Sequence, residues 1–205
     1  MTVPGEQLAF EDAVGILKTG GLLLMGTDTL PGFHCRADLP EAVDRILALK
    51  GRDAGKSLLV LAGSVQQGQL VTGNLEARQA AYCQRCWPGP FSLILPAGEH
   101  LPGNVNSGGK TVAVRVPAVP SLRRLVLAVG FPIISTSANL SGQAPCKDLE
   151  SALGIFRNQV DGSWQPPEFK SDVSQERVVT PSALIDVTVW PPRELRAGPH
   201  ESPLP

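Results

Sequence analysis

The chain reads as an α/β protein of the α+β type, with a twisted sheet of mixed parallel and antiparallel strands flanked by helices. Short apolar runs of strand character alternate with stretches whose apolar residues recur at helical spacing. The first such run, Leu22 to Met25, is apolar throughout, as a strand covered on both faces should be. Several of the runs also follow one another closely enough to pair antiparallel. A length of 205 residues supports one substantial core and allows at most two small domains.

The elements follow in order. Phe10, Ala13, Val14, Ile16 and Leu17 mark a first helix, which Gly20-Gly21 stops. The strand Leu22 to Met25 runs into Gly26-Thr27-Asp28-Thr29-Leu30-Pro31-Gly32-Phe33, a loop dense in hydroxyls and turn formers. Pro40 opens a helix bearing Ala42, Val43, Ile46, Leu47 and Leu49, and Gly51 is its C-cap. Ser57 to Ala62 is a strand, and Asn74 caps a helix that runs to about Arg85. Trp87-Pro88-Gly89-Pro90 ends that helix before a strand over Phe91 to Leu95. Thr111 to Pro117 is a strand, Pro120 to Val129 a helix and Phe131 to Ser135 the central strand. Asp148 to Val160 is helical, Gly162 to Thr180 a mobile loop and Ser182 to Val187 a last strand.

Composition narrows the function. Hydrophobic content of 42% with 18% charged residues is that of an ordinary globular chain. A net charge of −1 gives no global attraction to nucleic acid or membrane. The charges are unevenly spread, however. Between His100 and Cys146 there is no Asp or Glu, while Lys110, Arg115, Arg123 and Arg124 fall inside, a local bias that favours an anionic ligand. Four cysteines suit a reducing, cytoplasmic setting, and Cys83-Gln-Arg-Cys86 reads as one face of a helix, not as half a zinc site. The start lacks a secretory signal, and no run of about 18 apolar residues could cross a membrane.

Several chemistries fail on spacing. Gly55-Lys56-Ser57 and Gly109-Lys110-Thr111 resemble the end of a phosphate loop, but each precedes a strand and lacks the earlier glycine. No dinucleotide fingerprint or nucleophile elbow occurs, and His34, His100 and His200 are scattered, each expected on the surface or in a loop. What remains is a set of cations, hydroxyls and an amide. Ser135-Thr136-Ser137-Ala138-Asn139 opens from the end of a buried strand, where α/β sheets bind ligands. Lys50, Arg52 and Lys56 cluster at a helix-to-strand crossing. Arg115 sits mid-strand, where an unpaired charge is costly and a planar anion, such as a ligand carboxylate, would serve it. Such a site aligns substrates that bring their own nucleophile and stabilises phosphate charge.

Seven motifs in order then resemble the YrdC-like domain of L-threonylcarbamoyladenylate synthases. They are Thr27-Asp28-Thr29, Lys50-Gly51-Arg52, Trp87-Pro88-Gly89-Pro90, Val114-Arg115-Val116-Pro117, Ser135 through Gly142, Pro181-Ser182 before a strand ending at Asp186, and Leu195-Arg196-Ala197-Gly198. The resemblance spans about Phe10 to Gly198 and is that of the short, single-domain form, so one domain over residues 1–198 with a frayed tail at 199–205 is expected. It implies a central positive cavity and a reaction that joins L-threonine, bicarbonate and ATP into threonylcarbamoyl-AMP and pyrophosphate. The product would serve N6-threonylcarbamoyladenosine modification of tRNA, with Mg²⁺ assisting and tRNA or tRNA-modification proteins as partners. By similarity, Thr29, Arg115, Ser135 and Ser182 hold threonine, and Arg52, Lys56, Thr111, Ser137 and Arg196 hold ATP. Lys50, Arg52, Ser137 and Asn139 make the catalytic lining, and the 162–180 loop with Arg196 would close over the nucleotide. The chain departs from the family pattern at Leu30, Pro31, Leu61 and Ala183, and the family histidine expected at position 61 is absent, which bears on amino-acid specificity. A paralogue that binds structured RNA without synthesis, or one that adenylates a different carbamate, are the alternative readings.

Overall fold

The computed structural model describes residues 7–51, 57–169 and 180–203. Nine strands form one sheet: β1 (Leu23–Met25), β2 (Gly32–Arg36), β3 (Leu59–Leu61), β4 (Phe91–Pro96), β5 (Thr111–Arg115), β6 (Ile133–Ser137), β7 (Gly162–Trp164), β8 (Ala183–Asp186) and β9 (Arg193–Arg196). The helices are α1 (Phe10–Lys18), α2 (Pro40–Lys50), α3 (Val65–Gly68), α4 (Ala77–Cys86), α5 (Gly103–Asn106), α6 (Pro120–Val129) and α7 (Leu149–Phe156). The strand order is β7-β1-β2-β6-β3-β5-β4-β8-β9. Pairs β1/β7, β3/β5 and β4/β8 are parallel and the other five antiparallel, so the sheet is mixed as the sequence predicts.

Side-chain alternation sorts each strand between two layers. Leu24, Phe33, Cys35, Val60, Leu93, Val112, Val114 and Ile134 pack on one face with residues of α2, α4 and α7. Leu23, Met25, Leu61 and Ile133 lie on the other face, against α1 and α6. Along β6 this places Ile133, Ser135 and Ser137 on the second face, and the cover of α1 and α6 reaches only the first of them. The hydroxyl end of β6 is thereby left open.

Several expectations shift. The central strand runs through Ser137 and does not stop at Ser135, because Ser135 and Ser137 still pair with His34 and Gly32 of β2. Glu76, not Asn74, is the N-cap of α4, and its backbone N–H donates to Gln79 Oε1 at 2.9 Å. The stretch read as a loop from Gly162 begins with β7, paired to β1, and a 3-10 turn at Pro167–Phe169; residues 170–179 lie outside the described residues. Nor is the tail loose over 198–203. Arg85 donates to the Pro203 carbonyl at 3.3 Å, and Ser202 hydrogen-bonds Glu194. Cys83 and Cys86 are buried in the core on one face of α4, as the helical reading of that pair requires. Among the described residues no helix is long and apolar enough to cross a membrane.

Two glycines are dictated locally. Gly51 caps α2 in the left-handed region, with φ 56°. At Gly32 a Cβ would stand 2.5 Å from the Thr136 carbonyl oxygen, so β2 can lie this close to β6 only without a side chain there.

Candidate active site

A cavity of about 310 Å³ opens on the second face of the sheet, at the small end of the about 300–1,000 Å³ usual for small-molecule sites. Strands β3, β4, β5, β6, β8 and β9 all contribute to it, through residues such as Leu59, Ser92, Ala113, Ser135, Ser182 and Arg196. The loop before β2 supplies Thr29 and Leu30. That loop is shaped by Thr27, whose hydroxyl donates to the Leu30 carbonyl at 2.8 Å and accepts from the Thr29 and Leu30 N–H groups at 3.2 Å.

Arg115 is the buried charge of the site, with 1% exposure. Its Nη2 donates to Asp28 Oδ1 at 2.8 Å and its Nη1 to Thr29 Oγ1 at 3.4 Å. Nε has no partner among the described residues. Burial works against the guanidinium charge and lowers its pKa, while Asp28 beside it works the other way. The planar anion that the sequence demands is therefore first of all internal. Asp28 touches only one edge of the guanidinium, and the cavity-lining position of Arg115 keeps a second anion within reach. Arg196, exposed on the edge strand β9, uses Nε and Nη2 on the Ser182 carbonyl at 3.1 and 2.9 Å, and Ser182 Oγ meets Ser92 Oγ at 2.7 Å. No carboxylate lines the cavity among the described residues, and since Arg115 is paired to Asp28 the remaining positive charge of the lining is that of Arg196.

Of the residues the sequence singles out, Thr29, Arg115, Ser135, Ser137, Ser182 and Arg196 all line this cavity. Thr111 shares the face of β5 that carries Ala113 and Arg115 but stands outside the lining. Arg52 and Lys56 lie outside the described residues. Lys50 turns out differently from a lining cation: it is 4% exposed, and its Nζ donates to the Ser137 carbonyl at 2.6 Å and to Asn139 Oδ1 and O at 2.8 and 3.2 Å. Its ammonium also stands over the Phe33 ring, 5.9 Å from the centroid. Asn139 is held in turn, its Oδ1 accepting from Ser137 Oγ at 2.6 Å and its amide donating to the Leu140 and Gln143 carbonyls. Lys50 and Asn139 thus fix the end of β6 from behind.

His34 corrects the reading of the histidines. It is neither a surface nor a loop residue. It is the third residue of β2, wholly buried, and lies opposite Ser135, with Nε2 and Ser135 Oγ 3.1 Å apart. Burial lowers its pKa to about 3; the nearby backbone of Gly32 and Leu23 opposes the shift and Arg115 adds to it. Leu61, at the position of the missing family histidine, is buried between Arg115 and Ile133 in the sheet and belongs to the apolar cluster under α6. His34, Asp28 and Ser92 are the neighbours of the site that motif reading passes over. Alternation along Gly32-Phe33-His34 was the available signal for the first.

Known proteins share this sequence pattern and this fold. A family model for the Sua5, YciO and YrdC proteins, described as "Telomere recombination", matches residues 15–198. The threonylcarbamoyl-AMP synthase of Vibrio campbellii is 33% identical over 171 residues, 78% of this chain and 92% of its own. That of Pyrococcus abyssi is 31% identical over 193 residues, 94% of this chain but only 55% of the relative, which is nearly twice as long. The crystal structure of P. abyssi Sua5 complexed with L-threonine superimposes with a TM-score of 0.84 at 28% identity, covering 97% of this chain and 58% of that one.

Proposed function

Because the chain belongs to the Sua5/YciO/YrdC family, we propose that it is a threonylcarbamoyl-AMP synthase, joining L-threonine, bicarbonate and ATP. The observation that carries this reading is the positive cavity, in which a fully buried arginine and four hydroxyl side chains of the predicted set converge on one face of the sheet. In this reading the threonine carboxylate reaches Arg115, with Thr29, Ser135 and Ser182 around the rest of the amino acid. Ser137 and Arg196 face the nucleotide, joined by Thr111, Arg52 and Lys56. Lys50 and Asn139 hold the Ser137 end of β6 in register, a positioning role where direct contact was expected.

The chemistry asks little of the protein beyond alignment and charge. The threonine amine adds to bicarbonate with loss of water to give a carbamate, whose oxygen displaces pyrophosphate from the α-phosphate of ATP. Negative charge builds on the departing pyrophosphate, and guanidinium groups stabilise it. Among the described residues no three His, Cys, Asp or Glu side chains cluster, so Mg²⁺ would be held mainly through the phosphates, with the serine and threonine hydroxyls of the cavity as available protein oxygens. In this reading the product would pass to tRNA modification, with the activity cytoplasmic.

Pyrophosphate release from ATP, measured with threonine or bicarbonate omitted in turn, tests the assignment. Release that requires both, and is lost in Arg52→Ala, is the expected result. Release with neither amino acid nor bicarbonate, or none at all from folded protein, would overturn it.

A further inference from the structure

We propose that Ser92 is a binding residue of the amino-acid pocket. With Ser182 it forms a hydroxyl pair that offers the cavity one O–H, for an oxygen of the ligand carboxylate beside Arg115. The inference rests on the synthase reading for the identity of the ligand, but not for the proton that the pair has to spare.

Register places the pair. Leu93 and Val114 are opposed in the β4/β5 ladder and both enter the core. The next residue of each strand, Ser92 and Arg115, therefore stand side by side on the other face, about 4.5–5.5 Å apart at Cβ. On β3, Leu61 adjoins Arg115; on β8, Leu184 adjoins Ser92; on β9, Arg196 adjoins Leu184. Ser92 thus lies between two guanidinium groups in one row of side chains that crosses the sheet under the cavity. Ser182 shares the face of Leu184, two residues on, and Arg196 holds its carbonyl.

A count of protons then gives the chemistry of the pair, whichever way its hydrogen bond runs. Two serine hydroxyls carry two protons, and the 2.7 Å contact between Ser92 Oγ and Ser182 Oγ uses one of them. Neither hydroxyl has another hydrogen bond among the described residues, and the two residues are 1% and 4% exposed. Both line the cavity, so the second proton finds its acceptor there. A buried O–H without an acceptor is costly. Arg115 and Arg196 only donate, so neither can take the proton, and their charge favours an anion as the group that does. A carboxylate has two oxygens to share, one for the guanidinium and one for the hydroxyl. This brings Ser92 and Ser182 to the carboxylate end of the amino acid, where a ligand without that group would leave the O–H unspent.

The first test needs neither variant nor ligand. In equal parts of H₂O and D₂O a serine hydroxyl in slow exchange splits its ¹³Cβ signal, and one in fast exchange does not. The intact wild type should show one split signal from Ser92 and Ser182, for the proton shared by the pair, and one unsplit, for the proton open to the cavity. Two split signals would place the second proton inside the protein, and none would show the pair broken. Either would overturn the proposal, whether or not the protein turns over threonine. The second test is kinetic. In pyrophosphate release, Ser92→Ala should raise KM for L-threonine about three- to tenfold, the size of one neutral hydrogen bond, with kcat and KM for ATP near wild type. Ser92→Thr, which keeps the hydroxyl, should recover most of the loss. Because the pair acts as a unit, changing both serines to alanine should cost no more than the larger single change. An unchanged KM for threonine, a raised KM for ATP instead, or single effects that multiply would refute the assignment; absence of turnover in the wild type would instead count against the synthase reading.

Discussion

Burial of a neutral imidazole has a thermodynamic signature that can be worked out from the structure. The His34 pKa falls from its ordinary 6.5 to about 3 in the folded chain, burial being the largest cause. Below about pH 6.5 the unfolded imidazole takes up a proton that the folded one refuses until near pH 3. The unfolded state therefore binds more protons throughout that window, and stability must fall as pH falls through it. Each pH unit inside the window costs up to about 1.4 kcal/mol. Acidification from pH 7.5 to 5 crosses 1.5 units of it, a loss of about 2 kcal/mol, or about 4–8 °C in Tm for a chain of this size. The figure at pH 5 does not depend on whether the folded value is 3 or 4, since both lie below the range tested.

The assay is urea unfolding followed by fluorescence of the three tryptophans at several pH values, for wild type and His34→Gln. The groups that act on the ring are Arg115, itself paired to Asp28, and the backbone of Gly32 and Leu23. All other titrating groups are common to the two proteins, so subtracting the variant isolates His34. The wild type should lose about 2 kcal/mol more than the variant. A difference that stays flat from pH 7.5 to 5 would show that the ring reaches water or carries a proton in the folded state.

Two substitutions test the other buried ions. Lys50→Met keeps the aliphatic stem and removes the donors to Ser137 and Asn139; these acceptors are half-exposed and can recover water, so a loss of about 2 kcal/mol and a Tm lower by about 4–8 °C are expected. An unchanged Tm in thermal unfolding would show that Lys50 does not hold this turn. Asp28→Ala leaves Arg115 buried without its counter-ion and should cost about 3 kcal/mol, the low end for such a pair because Asp28 is 16% exposed. L-threonine should then raise the Tm of that variant more than that of the wild type, since its carboxylate would replace the missing charge; an equal rise in both would separate Arg115 from the ligand carboxylate.

How much of this could be read in the sequence depends on where each residue's partner lies along the chain. Arg115 announces itself because its conflict is local: a guanidinium inside Val112-Ala113-Val114-Arg115-Val116 must find an anion somewhere. That Asp28 is one such anion is a property of the sheet, which carries the loop before β2 to the face of β5 through 87 residues of separation. Lys50 reads as a lining cation only through the resemblance, since by itself a lysine at a helix C-terminus suits the last carbonyls of that helix. Burial at 4% and bonds to Ser137 and Asn139 follow only from the path of the chain after β6.

His34 is the sharpest case. Position-by-position reading registers a loss at Leu61, where an imidazole is missing, and has nothing to say about His34, which lies between the first two motifs. In the sheet, β2, β6 and β3 are neighbours, and His34, Ser135 and Leu59 form one row across them. Residues of one row stand about 4.5–5.5 Å apart, so a group can be supplied to the same pocket from any strand that crosses it. The requirement is a side chain on the right face, and the alternation Gly32-Phe33-His34 provides it: Gly32 permits the close approach of β6, Phe33 enters the core, and His34 returns to the cavity side beneath Ser135. Leu61 itself stands two positions further along β3, in the row of Ile133 and Arg36, so the buried imidazole of this sheet lies in a different row from the position where the motif would have put one.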